Sequence, residues 1–460
     1  MIRQRKVVPC SYEAAASSCR NLAATARSVA GLFFPLRVHL RIDGHGYSPA
    51  VLHKVVTAGG ELKSFQRAAK LTTKLAEFSI SGMQVSRLTH EIGRELASVR
   101  DHQAELHRYR QLKPDAQQPA VDIAFIETDG GRQNTRAAGC GRGVHQRGWR
   151  ETKIACLWRM TGPIYEADPH PELPRCFQDS PRVEKLVRQL KGSSGSAADQ
   201  EIVQSLEARH GVESPAQRPR WQPERQFRSC VATLRDVHGF GPLVAAEAQA
   251  RGFYEASRRV FLGDGDEKNW MVQRMYFAQF TAVTDFLHPV GYVFTAAGAM
   301  SCSRAGQWSQ YLRHITACWQ GGVGEVIDEL AAWLSAHPLP AGRLSDIPDN
   351  HPSKIVYQAM RYLENNRERM NYPEYRRAGL PVTSSLVESL IKEFNLRVNG
   401  TEKTWNREGA EPDWTCEAES ILQVRAALLC DDDRLSKHIR SRPGSPYVRR
   451  RPTAATNAAA

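Results

Sequence analysis

The chain has 460 residues and a mass of 51.5 kDa, with 41% hydrophobic residues, 24% charged residues and a formal net charge of +13. That length predicts two or three domains, and the composition excludes wholesale disorder. The longest apolar run, residues 29–36, contains Pro35 and falls far short of the ~20 residues a bilayer span requires, so neither a membrane protein nor a secretory signal is expected.

The charge is unevenly placed. Residues 1–120 carry 18 Lys and Arg against 9 Asp and Glu, and residues 431–460 carry 7 against 3. The 310 residues between them hold 37 of each sign. A neutral body with two basic ends fits a polyanion binder whose chemistry lies in its middle, although a basic balance also serves solubility alone. None of the ten cysteines forms a Cys-x-x-Cys pair. Isolated thiols are expected as small core hydrophobes in a reducing cytosol, with no structural zinc.

Residues 1–44 show no clear periodicity and stay unassigned. A helical pattern runs from Ser64 to Phe78, breaks at residues 79–82, and resumes over 84–96 with Val85, Leu88, Ile92 and Leu96 on one face. Two helices joined by a short glycine-containing turn read as a helix-turn-helix inside a DNA-binding region of residues 45–112. Gln84, Ser86, Arg87 and His90 would face a groove, and Arg87 and Arg94 would contact phosphates. An ordinary helical hairpin has the same pattern. Residues 113–120 read as a linker.

A strand is then predicted over 121–128, closing on Asp129-Gly130-Gly131, and another over 153–160. Residues 192–226, rich in Gly, Ser, Ala, Pro and Gln, read as a surface insertion. A helix over 242–256 precedes a strand over 259–263 that ends on Asp264-Gly265-Asp266. A short helix with Trp270, Val272 and Met275 follows, then a strand over 281–288 and a mainly helical block over 296–370. Strands alternating with helices predict an α/β domain, with residues 121–290 and 381–430 as its two parts and residues 291–380 as a helical insertion. Residues 431–460 read as a basic tail.

Two strands thus finish on an acid followed by glycine, Asp129 and Asp264. Carboxylates at strand ends converge on one edge of a sheet, where hard cations such as magnesium collect, and a neighbouring glycine lets a phosphate backbone approach. A single Asp-Gly at a strand end also reads as a hairpin turn. The third acid is Glu388, in the first turns of a helix that Thr383, Ser384 and Ser385 would cap, where a carboxylate serving only the helix dipole is the other reading. Lys392, Arg397 and Lys403, the last two around the turn Asn399-Gly400-Thr401, are cations suited to phosphate contacts.

On these residues the chain resembles bacterial insertion-sequence transposases of the ISKra type, members of the DDE class with a ribonuclease-H-like core. The resemblance is carried by Glu127-Thr128-Asp129-Gly130-Gly131-Arg132, by residues 141–145 and 149–153, by Phe261-Leu262-Gly263-Asp264-Gly265 and by Asp285-Phe286-Leu287-His288. Its strongest stretch runs from Tyr362 through residues 380–388 to Lys403 and Trp405, and together these span about residues 45–450. The resemblance implies Asp129, Asp264 and Glu388 as the catalytic triad, clamping two magnesium (or manganese) ions. It also implies an Asp-x-x-His element at Asp285 and His288, where a structural histidine is the other reading. DNA strand cleavage and strand transfer at the ends of a mobile element would follow, by a homo-oligomer acting at the bacterial nucleoid in the cytoplasm. Two rivals are a metal-dependent nuclease without strand transfer and a domesticated, catalytically silent DNA-binding protein. No constellation for a covalent nucleophile is found.

Overall fold

The computed structural model describes residues 3–12, 15–23, 47–115, 119–136, 148–190, 221–383, 393–394, 396–398, 403–408 and 415–442. Strands β1 (Arg3–Tyr12) and β2 (Ala15–Ala23) pair as an antiparallel hairpin. The rest is α/β, built on a mixed open sheet of seven strands, with thirteen α-helices among the described residues.

The sheet is centred on β3 (Ile123–Arg136). On one side β4 (Gly148–Thr161) runs antiparallel to β3 and β5 (Glu224–Thr233) antiparallel to β4, and on the other β6 (Arg258–Gly263) and β7 (Thr281–Thr284) run parallel to β3, in the order β5-β4-β3-β6-β7. A short β8 (Trp405–Glu408) also runs parallel to β3 and carries β9 (Thr415–Cys416) on its far side. Because β4 lines one edge of β3 along nearly its whole length, β6 and β8 must share the other edge. β6 takes residues Ile123 to Glu127 and β8 takes only Thr135 and Arg136. Among the described residues no strand pairs with that edge of β3 between these two stretches, and Asp129 lies there.

The alternation of side chains sends residues of each strand to two cores. Ile123, Phe125, Ile154, Cys156, Val260 and Leu262 face one side and pack with Val290, Tyr311, Trp319 and Leu363 of a helical block. That block comprises α7 (Leu287–Met300), α8 (Arg304–Trp319), α9 (Val323–Ala336), α10 (Pro352–Asn366) and α11 (Tyr372–Arg377). Ala124, Ile126, Ala155, Leu157 and Phe261 face the other side, against Phe240 and Val244 of α5 (Val237–Ala250) and Trp270 of α6 (Glu267–Tyr276). Another helix, α4 (Ser180–Leu190), sends Val183 and Val187 into the first core. Cys156, Cys176, Cys230, Cys302, Cys318, Cys416 and Cys430 are free, and all of these but Cys176 and Cys302 are buried as small apolar groups.

The N-terminal helices are α1 (Pro49–Glu61), α2 (Phe65–Ala76) and α3 (Gly82–Arg108). Ser48, Ser64 and Ser81 begin them by accepting a hydrogen bond from the backbone N–H three residues on. Their shared core takes Val424 and Ala427 from α12 (Glu417–Leu429) and Leu435 and Ile439 from α13 (Arg434–Ser441). The expected basic tail of residues 431–460 therefore begins later, since residues 434–441 form a helix packed in this core. Leu435 and Ile439 lie one turn apart and bury together, which ties residues 431–442 into the body. Glu95 of α3 accepts from His438 Nε2 at 2.9 Å and from Arg442 Nε at 2.7 Å. Burial pushes its carboxyl up, but these two donors and their charge hold it down at about 2. On the other side of α13, buried Glu247 accepts from Arg434 Nη2 at 2.6 Å and from Arg251 Nε at 2.9 Å.

Four strand boundaries also differ from expectation, the first being that of β4, which begins at Gly148 and not at residue 153. β3 continues through Asp129-Gly130-Gly131 because β4 pairs with every residue there, Gly130 opposite Lys153 and Gly131 opposite Thr152. β7 ends at Thr284, and residues 287 and 288 already belong to α7, whose first turn accommodates Pro289. Part of the expected surface insertion is strand, since β5 starts at Glu224, while residues 191–220 lie outside the described residues.

Candidate functional site

Asp129 and Asp264 come together by register. The parallel ladder of β3 and β6 pairs Glu127 with Leu262, and two residues further along the chain from each stand the two aspartates, Asp129 within β3 and Asp264 just past the end of β6. β6 stops at Gly263, and the chain turns through Gly265 at φ +99°, a left-handed conformation that favours glycine. A Cβ at residue 265 would stand 2.6 Å from the ring of Tyr362, whose hydroxyl donates to the Asp264 backbone carbonyl at 2.9 Å. The turn is therefore clamped from α10. Asp264 Oδ1 accepts from the Asp266 N–H at 2.8 Å and from Asn269 Nδ2 at 2.9 Å. Asp266 is exposed, and its own Oδ1 caps α6 by accepting from the Lys268 N–H. Of the two acids in that turn, Asp264 is the one lying beside Asp129.

Asp129 Oδ1 accepts from the Gly130 N–H. Burial pushes its carboxyl up to about 7; the Gly130 bond and His288 oppose this, and the charges of Asp264 and Asp285 add to it. Asp285 is buried where its backbone N–H meets the Gly263 carbonyl at 2.9 Å, and His288 Nε2 stands 3.8 Å from Asp285 Oδ2 in the first turn of α7. Asp129, Asp264, Asp285 and His288 thus gather beside the end of β6. Two carboxylates lining one pocket are a donor set that suits a hard divalent cation. Among the described residues no three of His, Cys, Asp and Glu are placed to share one metal ion. Glu388 and Lys392 lie outside the described residues.

The cations expected on DNA divide differently. Arg87 and Arg94 are exposed on α3. His90, expected to face a groove, is turned inward: its ring meets Phe65 edge-on and its Nδ1 lies 2.6 Å from Ser420 Oγ. Arg397 is buried, with Nε donating to the Gly59 carbonyl at 2.8 Å and its guanidinium 4.3 Å from the Phe65 ring centre, which removes it from phosphate contact in this structure. Lys403 is half-buried and donates to the Leu396 and Arg397 carbonyls at 3.2 and 2.8 Å. Burial and the neighbouring Arg397 charge hold its ammonium down at about 8.

Three residues that carry no role in the sequence reading share the aspartates' pocket of about 40 Å³: Glu151, Lys153 and Lys268. Glu151 and Lys153 are two apart on β4 and so lie on one face, a spacing visible in the sequence once the strand is known. Lys268 arrives from the first turn of α6. Partial burial would raise the Glu151 carboxyl, but Lys153 and Lys268 together hold it below the usual carboxylate range.

A stability test follows from Asp129. A carboxyl raised in the folded state favours folding below its unfolded pKa near 3.8, and that contribution is lost as pH rises through about 7. Asp129→Asn should therefore raise the melting temperature of the metal-free protein at pH 8 by roughly 1–3 °C, with no gain at pH 4. Added magnesium should then stabilise the parent protein and not the variant. A calorimetric scan in chelator and in magnesium checks both.

Among the described residues no helix is long and apolar enough to cross a membrane. Comparison of the sequence with models of known protein families and with curated proteins returns no match.

Proposed function

We propose that the chain is a DNA transposase of the insertion-sequence type, cutting and joining DNA strands on a ribonuclease-H-like core with divalent metal ions. The observation that carries this reading is the pair Asp129 and Asp264, which line one pocket beside the parallel strands β3 and β6. It is supported by the strand order β5-β4-β3-β6-β7, in which β4 alone runs against the other four, the order expected of such a core. The helical block after β7 stands where the family resemblance places an insertion, and the basic ends suit a polyanion.

In this reading Asp129, Asp264 and Glu388 would hold two magnesium ions. When bound, these would supply activation of water or a 3′-hydroxyl and stabilisation of the leaving oxygen in an in-line displacement at phosphorus. The chain's own groups set the geometry. Asn269 and the Asp266 N–H fix the Asp264 carboxylate, Tyr362 fixes its backbone, and the Gly130 N–H fixes Asp129. The acting species would be a homo-oligomer that brings two element ends together.

The test is incubation of the pure protein with duplexes carrying candidate element ends, in magnesium or manganese, with nicks and joined products mapped. Cleavage and joining are expected. Cleavage without joining would make the protein a nuclease lacking strand transfer, and no cleavage in either metal would leave a silent DNA binder. In the same duplexes, Arg87→Ala or Arg94→Ala should each lower the slope of log affinity against log salt by about one. An unchanged slope would remove α3 from the DNA interface.

A further inference from the structure

We propose that Lys153 and Lys268 form a phosphate clamp on the rim of the two-aspartate pocket, and that Glu151 occupies this clamp until a phosphate group displaces it. The inference rests on the DNA-cutting reading above for the source of that phosphate, a DNA backbone.

Both ammonium groups converge on a single oxygen. Glu151 Oε2 lies 2.9 Å from Lys153 Nζ and 3.3 Å from Lys268 Nζ. The two cations come from the elements that flank the acids: Lys153 stands on β4 opposite Gly130, and Lys268 lies four residues after Asp264. Lys153 is 8% exposed, and an ammonium buried to that degree needs a counter-charge. Glu151 supplies it from a side chain that is 46% exposed, so it can rotate into solvent without disturbing either core. Beside its second oxygen the backbone is bare. A Cβ at Gly130 would stand 3.5 Å from Glu151 Oε1 and 3.1 Å from the Thr152 carbonyl, so this position stays open only as glycine.

A carboxylate that shares one oxygen between two lysines is a weaker match than a phosphate, whose two non-bridging oxygens can each accept from one ammonium. The adjacent aspartates repel a bare anion, so the clamp fills together with cation on Asp129 and Asp264. The displaced Glu151 then leaves the pocket, and both lysines keep a counter-charge throughout.

The experiment uses the full chain in calcium with two probes: inorganic phosphate by titration calorimetry, and a short fluorescein-labelled DNA strand by anisotropy. Glu151→Gln removes the competing charge and should tighten both probes by about tenfold. Lys153→Met should weaken both by a similar factor and cancel the gain when combined with Glu151→Gln. Lys268→Ala, at an exposed position, reads the same loss if the buried substitution fails to fold. A structural counter-ion behaves in the opposite way: Glu151→Gln would lower the melting temperature and tighten neither probe, and that result overturns the clamp whether or not the protein cleaves DNA. Tighter phosphate with unchanged DNA would uphold the clamp and remove DNA as its source.

Discussion

Alanine at Asp129 or at Asp264 should each slow metal-dependent strand cleavage by about 10³-fold or more, equivalent to about 4 kcal/mol of barrier, while leaving DNA binding in place. The two aspartates line one pocket, and removing one carboxylate leaves the other as its single aspartate ligand there. Glu388→Ala should behave alike if the third acid closes the same set. Asp266→Ala is the control: its carboxylate caps α6, so its loss should cost about 1 kcal/mol of stability and leave cleavage standing. The pH dependence carries its own sign. With Asp129 raised to about 7, a proton competes with the cation, so at limiting magnesium cleavage should rise with pH until about 7 and then level. Saturating magnesium should shift that rise to lower pH. Parent-like cleavage by all three single variants would send the search for the active centre elsewhere.

How far the sequence reveals this arrangement depends on how local each cue is. The starts of α2 and α3 are legible because Ser64 and Ser81 are local caps followed by an apolar stripe. Strand β6 is legible because an apolar run ends on a glycine turn. Strand β5 is not, because Arg225 and Arg228 make it look like a polar surface segment. In the folded chain both guanidiniums lie over the Trp158 ring, at 4.7 and 5.8 Å from its centre, so these long cations cover the sheet. Asp129-Gly130-Gly131 has turn chemistry, yet β4 continues past it and holds it extended. Arg397 reads as a phosphate contact because charge is a one-dimensional property. Its burial between Phe65 and Trp405 joins segments more than 300 residues apart in the chain. The aspartate pair is the most legible part of the site, since each acid follows an apolar run in the sequence. The lysine pair beside it needs the pairing of β4 with β3 before it has any meaning.

Gly93→Val should unfold or severely destabilise the protein, by about 3 kcal/mol or more, although glycine in a helix is ordinarily a weak point that a larger residue improves. Gly93 lies in α3 where that helix meets the start of α12 most closely. A Cβ there would stand 2.1 Å from the Ser420 carbonyl oxygen and 2.6 Å from its carbon, both backbone atoms that no rotamer change can move aside. The same contact is stitched by side chains. Ser420 Oγ donates to the Glu417 carbonyl at 2.8 Å, which leaves His90 Nδ1 as donor to Ser420 Oγ at 2.6 Å. A charged imidazole is not needed for that bond, and burial with the nearby Arg94 and Arg397 charges holds His90 down at about 4. Gly324→Ala in the first turn of α9 supplies the contrast. Its nearest neighbour is the tip of the Arg367 side chain at 3.1 Å, which can swing away, so that change should be neutral or stabilise by about 0.5–1 kcal/mol. Urea titration of both variants separates the two cases. The same packing means that deleting residues 64–100 removes one wall of the core that holds α12 and α13, so the remainder should be lost to aggregation instead of persisting as a soluble, DNA-blind protein. A soluble, cooperatively folding remainder, or a Gly93→Val protein as stable as the parent, would show that the N-terminal helices dock on the α/β body far more loosely than this contact requires.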